Sequence, residues 1–260
     1  MKPVLILGPM DCEIDLIEAE VQNAEVSHVG GFRFTSGSIG GVPVAVCRCL
    51  IGMVNSAAAT VLAAQKFDPG CVILQGTAGA HDPALTQGDI VLGKDLKELG
   101  CFCTAHRDPG EGVDLGQWEV KGEELLRNGK PEFVKTLHSD AALLETALKL
   151  GNPHGRLLAG TIGSADIWNR ELDRIRFLHE TLGTDCEEME GFAVAQVCDH
   201  LGLPLLVVRV ISNSEWRPEE EFDEALAAVS QQFTLRLLAS SEVRSKRFYK
   251  MRKAKGGMRN

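Results

Sequence analysis

Residues 185 to 193 read Asp-Cys-Glu-Glu-Met-Glu-Gly-Phe-Ala, four acids crowded ahead of a small-residue, apolar run. That run has the character of a buried helix start, and acids are costly to place there unless they hold something. Glu188 and Glu190 flank Met189. Side by side at a pocket wall, two such carboxylates suit gripping the paired hydroxyls of a ribose. The competing explanation is an acid-rich helix N-terminus favoured by the helix dipole. This segment alone leaves both open.

Such acids need elements to position them. Val4-Leu5-Ile6-Leu7-Gly8 is a short apolar run ending in glycine, the pattern of a buried parallel strand turning into a loop. The loop carries Glu13, and Ile14, Leu16 and Ile17 then begin a helical pattern. A carboxylate at the carboxyl end of a first strand sits where open α/β sheets place their ligands. Val72 to Ala80 repeats the strand-into-glycine-turn pattern, with Thr77, Ala78 and Gly79 in the turn. Leu205 to Asn213 is an apolar strand interrupted by Arg209 and ending in Ser212 and Asn213. Several segments delivering polar residues to one edge make a site, although this argument names no substrate.

The combination resembles the purine nucleoside phosphorylase/nucleosidase superfamily, and most closely its methylthioadenosine/S-adenosylhomocysteine nucleosidase branch. The matching pieces are ILGPMDCEID, GGFRFTSGSIGGVPVAV (a hairpin), LIGMVNSAAAT, LQGTAGAHDPALTQGDIV, IGSADIW, EEMEG and VRVISN. They follow the family's order at about its spacing and cover most of residues 1–235. The resemblance implies a single α/β domain over residues 1–243, with a mixed twisted central sheet flanked by helices, usually paired as a homodimer. It implies hydrolysis of a purine nucleoside's N-glycosidic bond, with no cofactor and no metal. Glu13 falls on the general acid/base that activates the attacking water. Glu190 falls on the carboxylate holding the ribose hydroxyls, with Met189 packed on the sugar and Glu188 nearby. Arg209 falls on the strand arginine that orients these acids. Thr77, Ala78 and Gly79 lie beside ribose and base, Ser212 at the base strand, and Ile51 near the 5′ substituent. Trp168 takes the place of a phenylalanine that stacks on the base; otherwise it would be a buried anchor beneath a loop.

Asn213 departs from the pattern. The adenine-releasing branch has an aspartic acid there, which protonates N7 of the base. An amide donates a hydrogen bond but delivers no proton. Superfamily members acting on 6-oxopurines often carry asparagine at this place, so the expected preference moves toward 6-oxopurines or adenine activity falls. A phosphorylase would need a phosphate site. Phosphorylases carry an arginine just before the glycine turn, but here that stretch is Ile73-Leu74-Gln75, and the Gly8–Glu13 loop has no basic residue either. Arg48 is the one other candidate. A dianion without such partners is held poorly, so hydrolysis is favoured. An inactive nucleoside-binding protein is the further alternative, supported by Asn213 and opposed by Glu13, Glu190 and Arg209.

Composition bounds the rest. The chain has 260 residues, 44% of them hydrophobic, enough for one large α/β domain. No apolar run of membrane-spanning length and no export signal is found, so a cytoplasmic protein without membrane contact is expected. The eight cysteines lack CxxC spacing and are expected to be reduced, largely buried thiols. The histidines show no ligand spacing, and His81, just after the glycine turn, is expected to be a loop residue. Residues 106–131 are rich in Gly, Pro and charge, and predict a long excursion between core elements. Residues 244–260 form a basic tail with eight Lys and Arg and no acid. Without it the net charge moves from −9 to −17. So acidic a body argues against a nucleic-acid module.

Overall fold

The computed structural model describes residues 1–127, 129–240 and 243; the basic tail lies outside the described residues. The strands are β1 (Val4–Gly8), β2 (Gln22–Val29), β3 (Phe32–Ile39), β4 (Val42–Arg48), β5 (Cys71–Ala80), β6 (Ile90–Glu98), β7 (Phe102–Cys103), β8 (Glu119–Val120), β9 (Glu123–Arg127), β10 (Lys130–Val134), β11 (Leu137–His138), β12 (Leu157–Ser164), β13 (Cys186–Glu188) and β14 (Leu205–Asn213). The helices are α1 (Asp15–Ala19), α2 (Met53–Phe67), α3 (Ala141–Leu148), α4 (Leu172–Leu182), α5 (Gly191–Leu201) and α6 (Ala227–Ala239).

Ten strands form the central mixed sheet. On one side β1 runs parallel to both β4 and β5, and β3 and β2 extend the sheet antiparallel beyond β4. Both hairpins there turn through glycine pairs: Gly30-Gly31 and Gly40-Gly41 have positive φ throughout, as tight two-residue hairpin turns require. On the other side the sheet closes on itself. β5 pairs with β14, β14 with β6, β6 with β12, β12 with β13, and β13 returns to β5. This five-membered ring leaves none of its strands as a free edge.

Strand side chains alternate between two cores. Leu5, Leu7, Val72 and Leu74 pack with Ala59 and Ala63 of α2 and Phe192 and Val194 of α5. Val4, Ile6 and Ile73 point the opposite way, onto Ile17 of α1, Leu143 of α3 and Phe233 and Leu237 of α6. Helices on both faces bury both sides of the central strands, which is why those strands read as unbroken apolar runs rather than alternating ones. The expected single α/β domain with a mixed sheet is what forms. The excursion at 106–131 is not structureless: it contains β8, paired with β7 just before it, and β9, paired with β10 at its end, both antiparallel.

The parallel strands β1, β5 and β14 all end at the same edge of the sheet. Their carboxyl ends, together with β13 and the start of α5, deliver the polar segments singled out above to one place. No helix among the described residues is long and apolar enough to cross a membrane.

Candidate active site

All twelve residues that the sequence singled out line one open pocket at this sheet edge. Its floor is charged. Arg209 is 1% exposed on β14, an ion in the middle of a strand that is otherwise apolar. Its Nη2 donates to Glu190 Oε2 at 3.0 Å and also to Glu188 Oε2. Its Nη1 reaches the Thr77 carbonyl. Gly76 makes this approach possible, because a Cβ there would lie 2.5 Å from Arg209 Nη1 and 2.6 Å from Glu13 Oε1.

Glu13 sits in a 3₁₀ turn after β1 and is almost wholly buried. Its Oε1 accepts from the Thr77 amide (2.7 Å) and hydroxyl (2.9 Å), and its Oε2 from the Met10 amide (2.9 Å). Burial pushes its carboxyl above the ordinary range, while Arg209 and the Thr77 donors pull it part of the way back. The turn is held from behind: Gln75 Nε2 donates to the Glu13 carbonyl, and Gln75 Oε1 accepts from Ser230 of α6. Gln231, also on α6, donates to the Cys12 carbonyl and accepts from the Leu16 amide. Burial and the Glu13 charge push the neighbouring Cys12 thiol up to about 12, so it carries little reactive thiolate near neutrality.

Glu190 precedes the first residue of α5. Besides Arg209 it accepts from the Gly52 amide at 2.9 Å. Burial raises its carboxyl to about 7, against the pull of Arg209 and with a push from Glu188. Glu188 has a different task. Its oxygens accept from the amides of Glu190 and Gly191 and from the Ser164 hydroxyl, so it caps the start of α5. The two explanations of the acidic cluster thus divide between residues, with Glu188 at the helix terminus and Glu190 facing the pocket. The fourth acid, Asp185, accepts from the Thr161 amide.

The mouth is apolar. Trp168 is 56% exposed and meets Phe222 edge-on at 5.8 Å, so it is no buried anchor. Ile51 and Ile167 stand half exposed beside them, with Met189 below. Asn213 closes the β14 side. The Ser212 hydroxyl lies 3.0 Å from Asn213 Oδ1, which orients the amide with its NH₂ toward the pocket.

Among the participants that the sequence did not single out are Phe222, Gly52 and Glu187. Phe222 lies in a loop without periodicity, and Gly52 acts only through its backbone. Glu187 was counted in the acidic cluster, but nothing in the sequence said that it too faces the pocket. His81 is a loop residue just after β5, as expected, but a buried one: it is 1% exposed and lies 3.0 Å from Glu187. Arg48 is paired with Asp11 at 2.8 Å on the surface and does not line the pocket.

The sequence pattern of the phosphorylase superfamily matches residues 3–240. The chain belongs to the phosphorylase superfamily. Within it, the chain is 31% identical over 215 residues to the 5′-methylthioadenosine/S-adenosylhomocysteine nucleosidase of Psychromonas ingrahamii, covering 83% of this chain and 87% of that protein. Among solved structures, the Helicobacter pylori nucleosidase of that name, with butyl-thio-DADMe-Immucillin-A, superposes with a TM-score of 0.76 at 26% identity, covering 92% of this chain and 98% of the other. A futalosine hydrolase mutant from Helicobacter pylori gives the same TM-score and identity, covering 92% and 99%. The resemblance read from the seven sequence pieces is therefore a family membership, and the superfamily fold runs through the whole described sheet.

Proposed function

We propose that this superfamily member is a purine nucleosidase, hydrolysing the N-glycosidic bond of a 5′-substituted purine nucleoside of the 5′-methylthioadenosine/S-adenosylhomocysteine kind, with Asn213 moving its base preference toward 6-oxopurines. One observation carries the choice of water over phosphate as nucleophile. Arg209 is the only basic residue among the described residues lining the pocket, and its charge is already met by Glu188 and Glu190. A phosphate dianion would enter a site of net negative charge with no cation left to bind it. Gln75, just before the glycine turn, donates to the Glu13 carbonyl and accepts from Ser230.

The same negative charge suits hydrolysis. As the bond from C1′ to N9 breaks, positive charge builds on the ribose, and carboxylates placed before the reaction stabilise it. Glu190 takes the ribose hydroxyls with Met189 under the sugar. Glu13, raised by burial yet ionisable, accepts a proton from the water that attacks C1′. The bonding pair leaves with the base, and the Asn213 amide donates to N7 as negative charge develops there. Trp168 and Phe222 cover the base and Ile51 the 5′ group. Free cysteines, eight of them, fit a reducing cytoplasm. An exposed apolar stripe from Leu50 and Ile51 through Val54 to Val61, at the start of and along α2, supports a homodimer.

The test is base release from adenine and hypoxanthine nucleosides, each with a 5′-hydroxyl or 5′-methylthio group, with and without phosphate. Release without phosphate, with hypoxanthine favoured, is expected. Asn213→Asp should then raise adenine release, by up to about 10²–10⁴-fold where protonation limits the rate. Tight binding with no turnover would point instead to a nucleoside-binding protein.

A further inference from the structure

Glu187 has no part in the chemistry above, yet it lines the pocket, and its surroundings are built to present it. Alternation along β13 turns Glu187 away from Cys186 and Glu188. Register then sets its neighbours. Asn213 of β14 and Glu187 of β13 both pair with Gly79 of β5, one on each side. Residues in one lateral row of a sheet project from the same face. Gly79 has no side chain, and a Cβ there would lie 3.3 Å from Asn213 Nδ2. The row Asn213–Gly79–Glu187 is therefore a slot with a glycine floor, an amide on one wall and a carboxylate on the other. Two strand steps, about 10 Å between backbones, separate the walls. With both side chains reaching inward, that is the width of one fused-ring base.

The carboxylate is fixed in place. Glu187 Oε1 accepts from the Asn169 amide at 2.9 Å, and Oε2 from the Asn169 side chain. Asn169 is itself held by Arg174 Nε, which donates to its Oδ1 at 2.7 Å. His81 Nε2 stands 3.0 Å from Oε2, and its Nδ1 is 2.7 Å from the Thr184 hydroxyl. A carboxylate has about four acceptor positions. Oε1 uses one, so it keeps capacity on the pocket side.

We propose that Glu187 reads the Watson–Crick edge of the purine and selects bases that carry a hydrogen on N1, namely 6-oxopurines. The proposal rests on the nucleosidase reading and on N7 facing Asn213. With N7 there, the six-membered ring points along the row toward Glu187. A 6-oxopurine offers N1–H, which a carboxylate accepts. Adenine offers a lone pair at N1, and two acceptors facing each other in a buried slot disfavour the wrong base. Asn213 and Glu187 thus recognise opposite edges of the same ring. An amide and a carboxylate on opposite walls converge on one base class.

Glu187→Gln separates this from the rest of the site. The amide can still accept from N1–H but can also donate to adenine N1. The expected result is a 10- to 100-fold fall in kcat/KM for inosine, on the order of one charge-assisted hydrogen bond. Adenosine should gain about tenfold. Equal changes on both substrates, or none, would overturn the role of Glu187 while leaving the nucleosidase reading intact. No base release from either substrate by the unaltered protein would overturn both. A second measurement needs no variant: free hypoxanthine should quench tryptophan fluorescence at lower concentration than adenine, and the reverse order would also overturn the proposal.

Discussion

At the scale of single residues, the site is a problem of burying charge. Glu13, Glu188 and Glu190 share one guanidinium, and all four are nearly inaccessible to solvent. Taking two opposite charges out of water is already expensive, and two further acids add to that cost unless each is hydrogen-bonded. They are, through Thr77, Met10, Gly52 and the α5 amides. Glu190 shows the consequence. Its carboxyl lies near 7 when folded against 4.5 as an ordinary glutamate. Its protonated form is the stabilising one, so its contribution to stability is complete below about 4.5 and is lost as pH rises through about 7. Catalysis needs the opposite form, because only the ionised carboxylate stabilises a cationic ribose. We expect kcat/KM to fall as pH is lowered through about 7, and Glu190→Gln to abolish that limb along with most of the activity. The same variant should melt higher than the unaltered protein at pH 8 to 9 and lose the advantage near pH 4.5. A pH–rate profile and melting curves of both proteins check this; a flat profile across that range would sink it.

At the scale of elements, backbone geometry does the aiming. β13 is three residues long, yet it closes the ring and places Glu187 and Glu188 on opposite sides of one strand. No sequence pattern announces so short a strand. The adjoining acids did announce themselves, through the cost of placing charge before an apolar helix. Glycines matter where atoms must touch. Gly76 is the clearest case, since Arg209 and Glu13 occupy the space a methyl group would fill. Gly76→Ala should cost about 1–3 kcal/mol of stability by overpacking. Its effect on turnover should be larger, about 10²-fold, because it displaces the Glu13 carboxylate, the proposed base, by roughly an ångström. Parallel melting and kinetic measurements decide; equal losses in both would mean that Gly76 serves folding alone. Gly52, with φ of +102°, is a second such position, its amide held toward Glu190 at the start of α2.

At the scale of the whole molecule, α2 faces two ways. Ala59 and Ala63 pack into the core, while Val54, 78% exposed, and Val61 look outward. The stripe continues to Ile51 at the pocket mouth, so a second subunit covering α2 would also approach the 5′ end of the site. We expect a dimer by sedimentation, and Val54→Lys should shift it toward monomer. Its KM should rise most for 5′-extended nucleosides. A monomeric native protein would remove this expectation.

The sequence by itself determined the fold class, the strand ends and the identity of the acids, because buried parallel strands and isolated charges leave patterns that need no partner to be seen. Glu13, Glu190, Arg209 and Asn213 were legible for that reason, and the superfamily resemblance ordered them. Only the tertiary structure decided which acid does what. Glu188 turns to the α5 amides, Glu190 to Gly52 and the pocket, and Glu187 to Asn169 and His81. These partners lie as many as 138 residues away in the chain. Their choice depends on lateral register between strands distant in sequence, and a one-residue slip in that register would turn every side chain to the other face.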